Sequence, residues 1–163
     1  MKYFLTLVLA LFSSLTFGQA FGSKNAVSLE LGGHGLYYSI NYERLIFNGD
    51  RFKTTGQLGI AYYPSNSGPI QLWIPVLLNE LITFGNSHAE IGAGYILTNE
   101  TKNVIVDGEF KERIDGFLTA RLAYRYQNPK KMLFYRIGFT PIIEYGHQWF
   151  FHPTGGASIG LSF

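Results

Sequence analysis

The sequence predicts an all-β chain, an eight-stranded antiparallel up-and-down transmembrane β-barrel preceded by a cleaved signal peptide. Three observations lead there. Past the first twenty residues, apolar and polar positions alternate with a period of two, and no apolar run reaches the roughly 20 residues of a spanning helix. Charged residues make up only 15% and aromatics 17% of the 163 residues, whereas a soluble surface usually carries about 25 to 35% charged residues. Within the alternating segments, most charges fall on the face opposite the aliphatic side chains.

The opening "MKYFLTLVLALFSSLTFGQA" has one basic residue, Lys2, an apolar run, and small residues ending at Gly18-Gln19-Ala20. That is the layout of a secretory signal, too short to span a bilayer as an anchor. The expected division is therefore a signal over 1–20 and one barrel domain over 21–163. Loss of Lys2 reduces the 13 Lys and Arg to 12, against 11 Asp and Glu. This balance gives no electrostatic case for nucleic acid. There is no cysteine, so the exported chain lacks disulfides, thiolate metal sites and thiol nucleophiles.

Taken in order, the strands read as follows. "NAVSLELGGH" sets Val27, Leu29 and Leu31 against Ser28, Glu30, Gly32 and His34. "LYYSINYERL" sets Tyr38, Ile40 and Tyr42 against Ser39, Asn41 and Glu43, and "TGQLGIAYY" sets Leu58, Ile60 and Tyr62 against Gln57, Gly59 and Ala61. "QLWIPVLLNELIT" is least regular, because Pro75 has no N–H for a ladder and is expected to mark a bulge or break. "HAEIGAGYIL" opposes Ala89, Ile91, Ala93 and Tyr95 to His88, Glu90, Gly92 and Gly94. "GFLTARLAYRY" opposes Leu118, Ala120, Leu122, Tyr124 and Tyr126 to Thr119, Arg121, Ala123 and Arg125. "LFYRIGFTPI" opposes Tyr135, Ile137 and Phe139 to Phe134, Arg136, Gly138 and Thr140, with Pro141 disturbing its far end. "GASIGLSF" closes the set, with Ala157, Ile159, Leu161 and Phe163 against Gly156, Ser158, Gly160 and Ser162.

Short links at "NGD", "GNS" and "NPKK" alternate with longer ones after strands five and seven, as in barrels with short periplasmic turns and long outer loops. The link at Gly33–Gly35 is tight although it lies at the outer end. "NVIVDGEFK" reads as a hairpin turning at Asp107-Gly108 and prolonging strands five and six. Aromatics fall where interface girdles lie: Tyr42, Tyr126, Tyr135 and Phe163 at the periplasmic ends, Tyr62 and Tyr95 at the outer ends. Arg44 and Glu80 share the apolar phase, tolerable near a strand end, or, for Glu80, if a bulge at Pro75 shifts the register.

Placing the charged face in lipid would cost about 2 to 4 kcal/mol for each basic residue near the midplane, so that face is expected inward. Glu43 and Glu90 should pair there with Arg125 and Arg136, with Arg121 a step higher. A narrow eight-stranded lumen is just wide enough for side chains to fill.

These residues resemble the small outer-membrane β-barrel proteins of Gram-negative bacteria, like the OmpA transmembrane domain and OmpX. The likeness rests on "LELGGHGLYYSINYERL", "IPVLLNELITFGNSHAEIGAGY" and the final "GLSF". It implies residence in the cell outer membrane among lipid and lipopolysaccharide. It also implies that Ala157, Ile159, Leu161 and Phe163 form the signal read by the barrel-assembly machinery.

Of the four histidines, His88 shares a face with Glu90 but has no serine to complete a hydrolase-like set, and His147 with His152 alone makes a weak metal site. No catalytic, cofactor or metal site is expected. Trp149, Phe150 and Phe151 form an apolar loop cluster that packs at the interface or meets a partner of unknown identity. The leading expectation is a structural or interaction barrel acting through its outer loops. The alternatives are a narrow transport or ligand-binding barrel and a lipid-modifying enzyme.

Overall fold

The computed structural model describes residues 23–63, 71–106, 109–144 and 150–163, without side chains at 63, 100–106 and 109–115. The proposed signal, the Asp107-Gly108 turn, His147 and Trp149 lie outside the described residues. The elements are β1 (Asn25–Gly32), a 3-10 turn (Gly33–Gly35), β2 (Tyr38–Asn48), β3 (Phe52–Tyr63), β4 (Gln71–Phe84), β5 (Ser87–Val106) and β6 (Glu109–Gln127). β7 (Leu133–Phe139), β8 (Ile142–Glu144), β9 (Phe150–His152) and β10 (Gly155–Ser162) complete them.

All pairings are antiparallel, each of the first six strands pairing with the next, and β10 closes the ring between β7 and β1. β8 continues β7 beyond Pro141 and pairs with β6, and β9 continues β10 and pairs with β8. The ring therefore has eight staves, the last two each interrupted next to a proline, Pro141 or Pro153. Phe163 is tied into the closure: its N–H donates to the Asn25 carbonyl at 2.8 Å, and the Asn25 N–H donates back at 3.0 Å.

Following paired residues from Glu30 leads one way through Ser39, Ala61 and Trp73 to Thr98, and the other way through Ser158, Arg136 and Arg125 to His88. These end points lie ten residues apart on β5, which is the stagger of the closed ladder. With strand rise and spacing of ordinary size, that stagger tilts the staves by about 40° and gives a radius of about 8 Å. At the levels of its buried side-chain clusters such a tube has room for little else.

Pro75 neither breaks β4 nor bulges it, contrary to the sequence expectation. It pairs opposite Ile96, and the β3 ladder only skips Gly59 and Ile60 before resuming at Ala61 opposite Trp73 in unchanged register. The missing N–H thus costs a local gap and no shift. Glu80 keeps its outward phase and accepts a 2.7 Å hydrogen bond from Thr54 Oγ1 across the strand pair. The register shifts fall elsewhere, between Leu45 and Phe47 in β2 and between Leu97 and Thr101 in β5. The first of these leaves both Ile46 and Phe47 facing out.

The interior is layered, and the simple picture of a polar inside holds only in part. At the end away from Asn25 and Phe163, Ala61, Trp73, Ile96 and Ile142 form a buried apolar cluster with Leu36 and Phe117 against it. The β1–β2 turn folds inward over this level. Gly32 and Gly33 adopt φ of 73° and 64°, a left-handed conformation that glycine takes at little cost. A Cβ on Gly33 would also approach the Glu30 carboxyl carbon to 2.8 Å. Gly33→Val is expected to lower barrel stability by about 1 to 3 kcal/mol through strain and displacement of Glu30, measured as a lower urea midpoint of the refolded protein.

Candidate functional site

The centre of the lumen is built from inward positions of five staves. Glu30 comes from β1, Glu43 from β2, Glu90 from β5, Arg121 and Arg125 from β6, and Arg136 from β7, all buried. Alternation delivers each of them: the residues on either side face outward and are apolar or aromatic, apart from Arg44 beside Glu43.

Charges alternate along one continuous chain. Arg125 Nη1 donates to Glu43 Oε1 at 2.5 Å, and Arg136 Nη1 reaches Glu43 Oε2 at 3.2 Å and Glu90 Oε1 at 3.1 Å. Arg121 Nη1 meets Glu90 Oε1 at 3.1 Å, and its Nη2 meets Glu30 Oε1 at 3.0 Å. Three guanidinium groups thus face three carboxylates. That balance lets six ionic groups leave water together, since a single buried charge would cost several kcal/mol.

Neutral groups complete the coordination. Arg121 Nη1 also donates to Gln57 Oε1 (2.5 Å), Gln57 Nε2 to Asn41 Oδ1 (3.0 Å), Asn41 Nδ2 to Ser39 Oγ (2.9 Å), and Ser39 Oγ to Glu30 Oε2 (3.3 Å). Because Glu30 returns to Arg121, these bonds form a closed cycle across β1, β2, β3 and β6. The Arg125 guanidinium lies 3.9 Å above the Phe134 ring centroid, a placement favourable to a cation. Gly160 permits it, because a methyl group there would overlap that ring.

The structure therefore brings Glu43, Glu90, Arg121, Arg125 and Arg136 into one network. It also adds two groups the sequence reading left out of that network, Glu30 and His34. His34 is wholly buried in the inward-folded turn, with Nδ1 2.9 Å from Arg121 Nη2 and 3.4 Å from Glu30 Oε2. His88 sits apart, near the end bearing Asn25 and Phe163, with Nδ1 3.0 Å from Thr83 Oγ1. His152 is exposed on β9.

The outward surface carries the remaining expected positions. Tyr42, Tyr62, Tyr126 and Tyr135 are exposed, and Tyr42 donates from its hydroxyl to Asn25 Oδ1 at 2.7 Å. Tyr95 is half-buried against Gly116. Ala157, Ile159 and Leu161 face out and Phe163 is half-buried. Phe150 and Phe151 are exposed, with the Phe151 ring 6.3 Å from Phe139. The same surface carries a band of aliphatic side chains, of which Leu122 is 61% and Ile137 65% exposed.

An architecture of this kind has a known counterpart. The structure is similar to the crystal structure of the N-terminal β-barrel domain of Pseudomonas aeruginosa OprF, with a TM-score of 0.55. The match covers 87% of this chain and 100% of that one, at 12% sequence identity. The likeness is one of fold. No protein-family profile matches the chain, and no curated protein sequence does.

Proposed function

We propose that the protein is a small integral barrel of the bacterial outer membrane, with a side-chain-filled lumen. In this reading its role is structural or one of interaction, exercised through the hairpins at the end away from Asn25 and Phe163. The observation that carries this reading is the inversion of the usual pattern. Aliphatic side chains such as Leu29, Ile40, Leu58, Leu78, Leu122 and Ile137 form an exposed band, while the arginines and glutamates are inside. In water such a band would be an aggregation-prone patch far above the few hundred Å² typical of soluble monomers. In lipid it is the required surface, and the flanking aromatics supply the interface levels. The fold shared with the OprF domain supports the barrel part of the reading.

The hairpin of β5 and β6 runs past the closed part of the ladder to Val106 opposite Glu109, and β8–β9 adds the exposed Phe150 and Phe151. In this reading these segments meet partners. Catalysis has no part in this reading: among the described residues, the meeting of serine, histidine and glutamate around Glu30 is sealed inside the lumen, with His34 wholly buried.

Two experiments test the proposal. The protein extracted from outer-membrane fractions should migrate faster in gels unboiled than boiled. Recovery in the soluble periplasmic fraction without such a shift would overturn it. In planar bilayers the refolded protein should show no stable single-channel step, because a barrel of about 8 Å backbone radius is closed at the ion-pair network by its own side chains. A sustained open level would contradict the filled lumen.

A further inference from the structure

A cavity of about 790 Å³ opens at the end bearing Asn25 and Phe163, beneath the ion-pair network. Its volume is within the range of small-molecule sites.

Its charge is one-sided. Lys24, Lys53 and Arg125 line it together with Arg44 at the rim, and the single lining carboxylate, Glu43, is already bonded by Arg125 and Arg136. Among the described residues Lys24, Arg44 and Lys53 form no ion pair. Two buried donors of lining residues also lack acceptors. Thr55 Oγ1 and Arg125 Nε belong to buried side chains lining the cavity, and neither has a hydrogen-bond partner. Buried polar atoms normally find a protein, water or ligand partner. A recess with low-dielectric walls and one sign of charge concentrates oppositely charged solutes.

We infer that this recess is a binding site for an anionic group of the phosphate monoester class, held by Lys24, Lys53 and Arg125 with Thr55 as a hydroxyl donor. Several cations around one recess suit a doubly charged phosphate better than a single carboxylate. Guanidinium and ammonium donors form the stronger, charge-assisted hydrogen bonds with it. Nothing in this inference depends on the outer loops or on where the barrel resides, so it can fail while the membrane reading stands, and the reverse.

The test uses the full mature chain refolded in uncharged maltoside micelles, with NMR shifts of the Thr55 amide and His88 ring as the readout. Inorganic phosphate and glycerol 3-phosphate are added separately. In a second arm the protein is placed in phosphatidylcholine nanodiscs with and without phosphatidic acid. Saturable shifts confined to the cavity are expected in at least one arm; the first would identify a soluble ligand, the second a lipid headgroup. Lys24→Gln combined with Lys53→Gln should weaken binding roughly tenfold or more, as loss of charged donors does, with the urea midpoint in phosphate-free buffer unchanged. Silence in both arms, or shifts of equal size in the double variant, would overturn the site. An unfolding midpoint lowered by the double variant would also count against it, because these lysines would then be structural.

Discussion

Arg121→Ala should destabilise the refolded barrel by about 3 to 5 kcal/mol, the cost of stripping one partner from a buried ionic network. Arg121 is the group on which most of the lumen depends. Its Nη1 serves Glu90 and Gln57, and its Nη2 serves Glu30 and contacts His34. Alanine would leave Glu30 without an arginine and open the cycle that runs through Gln57, Asn41 and Ser39. Glu90 would keep Arg136, and Glu43 would keep both of its arginines. Arg125→Ala should therefore cost less, because Arg125 pairs with Glu43 alone. Urea unfolding followed by gel mobility reads the ranking directly. Equal midpoints for wild type and Arg121→Ala would show that the network adds nothing to the fold. Combining Arg121→Met with Glu30→Gln should recover part of the loss, since removing both partners avoids stranding a charge.

The second large effect concerns the outer surface. Leu122→Arg should lower stability in a bilayer by about 2 to 4 kcal/mol, the midplane cost for a basic residue on the lipid face of a barrel. Leu122 lies on β6 one residue from Arg121, so the two changes probe opposite faces of one strand at one height. An arginine at an exposed position of a water-soluble protein changes stability by roughly half a kcal/mol or less. The size of this effect, measured by lipid-bilayer folding titrations, therefore separates lipid from water as the surroundings of the band. Arg44→Leu, opposite Asn25 at the start of β1, should change little in either setting.

Much of this architecture was legible in the chain because a period of two reports the face of every strand residue. Phe134, Arg136 and Gly138 point one way and Tyr135 and Ile137 the other, as the alternation requires, and the five charges expected to meet do meet. What the alternation does not carry is height. Glu30 was legible as inward-facing, yet its meeting with Arg121 follows from the ten-residue stagger of the closed ladder, which appears only when β10 pairs with β1. His34 escaped for a related reason: the tight Gly33–Gly35 link turns into the lumen, a direction opened by the positive φ of Gly32, Gly33 and Leu36. Pro75 misled because a missing N–H was equated with a break, whereas the ladder on the β5 side runs on unaltered. The apolar level around Trp73 and Ile96 was equally hidden, since Trp73, Leu77 and Leu81 put large side chains on an inward phase expected to be polar.

The claim at the centre of the account is that the aliphatic band lies in lipid. The chain has no cysteine, so Leu122→Cys and Ala123→Cys each give a unique site for a nitroxide label. The deciding measurement is the collision rate of each label with oxygen, which partitions into lipid, and with a water-soluble nickel chelate, in the membrane-inserted protein. The account expects the label at 122 to collide with oxygen and to be shielded from nickel, and the label at 123 to be shielded from lipid-phase oxygen. A label at 122 that meets nickel as freely as one on a soluble surface would contradict it.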